Sequence, residues 1–99
     1  MHRPGRLSVT GSTSSGPYMM DRYSNGYALI GSTSGTTSWT VEVTGDDLQA
    51  GETATWQDHA VLAGIVGNGK GNLEFIPTAI RLTNVGTGSV QLDIIPKVG

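Results

Sequence analysis

Asp58 and His59 are adjacent, and a carboxylate beside an imidazole is the smallest pairing that could orient a general base or begin a metal site. No second histidine lies at ligand spacing, so the plainer reading, a histidine beside a turn, is preferred. Asp46 and Asp47 with Glu52 nearby offer oxygen ligands for calcium, but the EF-hand order is missing and a solvated acidic turn accounts for them better. Gly67-Asn68-Gly69-Lys70-Gly71 has the composition of a phosphate loop without the Walker spacing or the following Ser or Thr. Serine and threonine recur throughout, yet no Gly-x-Ser-x-Gly elbow occurs, and the chain has no cysteine. These residues predict a non-enzymatic protein with no cofactor and no metal.

The aromatic residues are the other source of chemistry, because ring faces stack on sugars. Trp39 alternates with Val41 and Val43 and is assigned to the core, which leaves Trp56, Tyr18, Tyr23 and Tyr27 as a candidate platform for a glycan or a subunit interface. A net charge of -2 without a basic run argues against a nucleic-acid partner. No apolar stretch is long enough for a membrane span, and the polar start Met1 to Arg6 does not read as a secretory signal, so synthesis in a cytoplasm is expected.

The elements that must position these groups are strands. Only 14% of the 99 residues are charged and 15 are glycine, a composition suited to short strands and many turns. Residues 1–6 read as a flexible N-terminal arm and 7–99 as a single β-domain. Leu7 to Thr10 is a short strand, and Gly11 to Pro17 a flexible loop. Asn25-Gly26 is a type I′ turn signal that would bring Tyr23 and Tyr27 together across a hairpin. Tyr27 to Ile30 is a strand ended by Gly31 to Gly35, and Thr37 to Thr44 alternates cleanly, with one face buried and one wet. Residues 53–56 suggest another strand, 58–66 a short strand or buried loop, and 68–72 an exposed turn. Ile80 and Leu82, then Val90, Leu92 and Ile94, alternate on either side of Val85-Gly86-Thr87-Gly88 and predict a closing β-hairpin. Its aliphatic face would form the core with Trp39, Val41 and Val43, while Arg81 points away, toward a carboxylate across the sheet, the preferred reading, or into a subunit interface. The fold class is all-β: a small antiparallel β-sandwich or jelly-roll-like barrel.

The order Trp56-Gln57-Asp58-His59, a short apolar stretch, a glycine-rich turn, Ile76-Pro77-Thr78-Ala79-Ile80-Arg81-Leu82 and Thr87-Gly88-Ser89-Val90-Gln91-Leu92 resembles a pattern in small virion proteins of tailed bacteriophages. The resemblance covers about the last half of the chain. It implies a structural component of the particle, foremost a decoration or cement protein on the capsid surface, synthesised in the host cytoplasm and bound across neighbouring copies of the major capsid protein. A homo-oligomer, with a trimer favoured, follows from the same resemblance. Arg3 and Arg6 would then meet acidic patches on the capsid, and Tyr18, Tyr23, Tyr27 and Trp56 would serve subunit contacts. The alternatives are a carbohydrate-binding module and a head or tail accessory protein such as a fibre or adaptor.

Overall fold

The computed structural model describes residues 5–20, 26–46, 53, 55–73 and 77–97. Every regular element among the described residues is a strand: β1 (Gly5–Thr10), β2 (Thr13–Ser14), β3 (Tyr18–Met19), β4 (Tyr27–Ser34), β5 (Ser38–Thr44), β6 (Gln57–Asp58), β7 (Gly69–Leu73), β8 (Ala79–Val85) and β9 (Ser89–Pro96). They form two antiparallel sheets, one in the order β1-β9-β4-β7 and the other β2-β8-β5-β6, with β3 also paired to β8. Along the chain, β1 to β2, β4 to β5, β6 to β7 and β8 to β9 each cross from one sheet to the other. That winding makes the sandwich a jelly roll.

The closing pair of strands corrects the hairpin expectation. β8 pairs with β5, from Ser38↔Val85 to Thr44↔Ala79, whereas β9 pairs with β1 and β4 in the opposite sheet. Gly86-Thr87-Gly88 is therefore an arch between sheets, and the two aliphatic faces meet across the core instead of side by side. Three arches gather at this end. The Gly11 N–H donates to the Gly88 carbonyl at 3.0 Å, and the Gly88 N–H to the Thr36 carbonyl at 2.9 Å. Asn84 Nδ2, almost fully buried, donates to the Gly11 carbonyl at 2.9 Å. Gly86 has φ +129°, and a Cβ there would stand 2.4 Å from the Thr36 carbonyl oxygen, so the arch admits only glycine at that position.

Trp39, Val41, Ile80, Leu82, Leu92 and Ile94 have no exposed surface and Val90 is buried, joined in the core by Val9, Tyr27, Leu29, Leu62 and Leu73. Burial of each such side chain contributes about 1.5–3 kcal/mol. Val43 packs at the margin and stays partly exposed, because it lines an open groove at the edge of the sandwich.

Five local readings change. Of the strand expected over 53–56, residues 53, 55 and 56 are not in a strand, and β6 begins at Gln57. β1 starts at Gly5, pairing Gly5 with Ile94 and Arg6 with Asp93, so the last two residues of the expected arm are strand. Within the expected loop 11–17, Thr13 and Ser14 pair with Asn84 and Thr83. β4 runs on through Gly31–Ser34. The expected turn 68–72 is mostly strand, since Gly69 to Leu73 pairs with β4. The proposed contact of Tyr23 with Tyr27 and the position of Arg3 lie outside the described residues.

Candidate functional site

The outer face of the β2-β8-β5-β6 sheet carries a continuous polar network. Glu42 on β5 lies directly across from Arg81 on β8, so alternation sends both outward. Arg81 Nε donates to Glu42 Oε1 at 3.0 Å and Nη2 to Oε2 at 3.3 Å, a two-point pairing. The guanidinium carbon sits 4.6 Å from the centroid of the Trp56 ring. Thr83 Oγ1 donates to Glu42 Oε1, which leaves Ser14 Oγ to donate to Thr83 Oγ1 at 2.9 Å. The expected partner of Arg81, a carboxylate across the sheet, is thus Glu42. Thr83 and Ser14 were not singled out from the sequence; alternation with Arg81 was the available signal for Thr83, and none existed for Ser14 because its strand was read as a loop.

Burial pushes the Glu42 carboxyl upward, but hydrogen bonds from Arg81 and Thr83, with the Arg81 charge, outweigh it and hold the group below its ordinary value of 4.5. A carboxylate depressed in the folded state stabilises the fold above its unfolded pKa, and that contribution disappears as pH falls through the folded value. Urea denaturation of the wild type should accordingly show stability declining from about pH 4.5 downward. In Glu42→Gln the decline should be shallower, and neutral-pH stability should be lower by about 1–2 kcal/mol. Equal acid sensitivity in both proteins would refute the assignment.

Chemically the network is closed. Arg81 and Glu42 neutralise each other, the Thr83 proton is committed to Glu42, and one face of half-buried Trp56 is covered by Arg81. The remaining candidate residues do not converge on it. Tyr27 is buried in the core, which corrects its assignment to a subunit interface. Tyr18 is half-buried against the core, with its ring over the space where Gly5 lacks a Cβ. Arg6 Nε bonds Asp93 Oδ1 at 2.8 Å, so its charge is met within the chain.

His59 belongs to the fold. Its Nδ1 accepts from the Val61 and Leu62 N–H groups, each at 3.1 Å, and its Nε2 lies 2.8 Å from the Asn72 carbonyl oxygen. The three partners specify a neutral ring with the proton on Nε2, and no lone pair remains for a metal. Asp58 is exposed beside it. Asp46 Oδ2 accepts from the Thr55 N–H and from Thr44 Oγ1, a clamp on its own loop. Asp47 and Glu52 lie outside the described residues, and no three His, Asp or Glu cluster among the described ones.

The opposite outer face, on the β1-β9-β4-β7 sheet, is different in kind. The register sets Ser8, Gln91 and Ser32 in one row, Thr10, Ser89 and Ser34 in the next, and Arg6, Asp93, Ile30 and Lys70 in a third. Ile95 stands across from Ala28 at one end. Ile30 and Ile95 remain 40% and 39% exposed on this face of short polar side chains. An open groove of about 620 Å³ lies at the β6–β7 edge, lined by Val43, Gln57, His59, Val61 and Lys70. Among the described residues no helix is long and apolar enough to cross a membrane. Compared with models of protein families, with curated proteins and with solved structures, the chain matches none.

Proposed function

We propose that this protein is a non-enzymatic virion component, a decoration or cement protein that packs on the capsid surface and ties neighbouring copies of the major capsid protein together. The observation that carries the reading is the outer face of the β1-β9-β4-β7 sheet, where Ile30 and Ile95 stand exposed among Ser, Thr and Gln on a hydrogen-bonded platform. Such a face can be buried by another protein without prior ordering, and its two isoleucines supply apolar anchors inside a polar surround. Two further arguments support the assignment: the resemblance of the second half of the chain to small phage virion proteins, and, by analogy of fold alone, the use of jelly rolls in viral capsids. Against a glycan-binding platform, Tyr27 is in the core and Arg81 covers one face of Trp56.

The test is occupancy on particles assembled from the cognate major capsid protein. The wild type should co-sediment with particles, and Ile30→Asp with Ile95→Asp should reduce occupancy at least about tenfold while leaving the fold intact, both side chains being exposed already. Failure of the wild type to bind particles would overturn the role, and unchanged occupancy of the double variant would overturn the face.

A further inference from the structure

We infer that the outer edge of β1, unpaired among the described residues, pairs with the β1 edge of a second copy, about a twofold axis at Ser8, to give a dimer with one continuous eight-stranded sheet. The argument begins with which main-chain groups are spent. The Gly11 N–H bonds the Gly88 carbonyl at the position that continues the β1–β9 register, so Gly11 is among the residues whose amides turn toward β9. Alternation makes Val9 with Val90, Leu7 with Leu92 and Gly5 with Ile94 the bonded pairs. The N–H and C=O groups of Arg6, Ser8 and Thr10 are therefore turned away from β9. Among the described residues none of them has a partner. On the other edge of the same sheet, His59 takes the carbonyl of Asn72 on β7.

An exposed edge is normally blunted by proline, an inward-pointing charge or a bulge. Between Arg6 and Thr10 this strand has none of these, and its inward residues are Leu7 and Val9. Parity restricts the register, and overlap of all three outward-facing residues of both copies then selects it. Outward-facing groups must meet outward-facing groups, so the even residues of one copy bond the even residues of the other. A twofold at Arg6 would set two arginines directly opposite, which is unfavourable. At Ser8 the pairs are Ser8 with Ser8, Arg6 with Thr10 and Leu7 with Val9, which extends the apolar inner face across the seam. The interface is isologous and predicts a dimer, not a threefold ring. This inference does not depend on the virion role, and its experiment uses the free protein.

Sedimentation of the wild type across a concentration series should show a monomer–dimer equilibrium. Ser8→Pro removes an amide that β9 does not use and is tolerated on an edge strand, so it should give a folded monomer with an unchanged circular dichroism spectrum. Ser8→Lys, placing like charges opposite each other, should weaken the dimer by about tenfold or more. Because the chain has no cysteine, the register can be read by oxidation. Ser8→Cys should form an intermolecular disulfide, its Cα atoms being about 5.5 Å apart in a bonded pair. Thr10→Cys should not, since the two residues would be offset by about 13 Å along the strands. A wild type that is monomeric at every concentration, a dimer that survives both Ser8→Pro and Ser8→Lys, or crosslinking of Thr10→Cys as efficient as that of Ser8→Cys would overturn the proposal.

Discussion

Gly31→Ala should cost about 3 kcal/mol or more, a large fraction of the 5–15 kcal/mol that holds a small domain together. A Cβ at position 31 would lie 2.3 Å from Cζ2 and 2.4 Å from Cη2 of Trp39, well inside contact distance. The indole cannot move aside cheaply. It is fully buried, and its Nε1 donates to the Gly67 carbonyl at 2.8 Å. Any rotation that relieves the clash would break that bond and displace the centre of the core. Chemical denaturation of Gly31→Ala beside Gly16→Ala checks the claim, since a Cβ at Gly16 meets nothing within 4 Å and should change stability by no more than about 0.5 kcal/mol. Trp39→Phe, which shortens the ring, should be destabilising alone but should recover part of the loss when combined with Gly31→Ala, giving a favourable coupling in the double-mutant cycle. Additive losses would show that the two sites do not meet.

The same contact explains what could and could not be read from the sequence. β5 was legible because Trp39 and Val41 alternate with polar residues, a local pattern that needs no partner. Gly31 to Ser34 and Gly69 to Asn72 were read as loop and turn because small, polar residues lack strand propensity. They are strands because Trp39 lies over Gly31 and Gly69, and Leu62 over Gly71, contacts made only between packed elements and not within one local stretch. The hairpin reading failed for a related reason. Val85-Gly86-Thr87-Gly88 marks a reversal of the chain, but whether the chain returns beside β8 or crosses to the other sheet depends on β5 occupying the place beside β8. In the polar network, alternation was enough to send Arg81 outward toward a carboxylate. The contributions of Thr83 and Ser14 required the β2–β8 pairing, which the Gly/Ser/Thr composition of residues 11–16 concealed.

His59→Ala should lower stability by about 2–4 kcal/mol, since it leaves two amide donors and one carbonyl without their partner in a part-buried site. The effect should also be local, because the ring's bonds are confined to the start of one loop and the strand β7 beside it. Residues 59–67 run along the outer edge of β5, with the His59 N–H on the Val41 carbonyl, the Val41 N–H on the Leu62 carbonyl, and Trp39 and Ile65 exchanging both main-chain bonds. Leu62 inserts into the core, while Val61 and Val66 stay 64% and 81% exposed. His59 closes the inner turn through Val61 and Leu62 and ties it to β7 through Asn72, thus joining the edges of the two sheets. His59→Asn separates the two functions. Its shorter amide can still accept from the following N–H groups, but it does not reach the Asn72 carbonyl, so it should recover only part of the loss. Hydrogen exchange should show the amides of Leu62 and Ile65 opening far faster in His59→Ala than those of Leu92 and Ile94 in the opposite sheet. Uniform acceleration across both sheets would mean that His59 supports the whole core and not the loop edge.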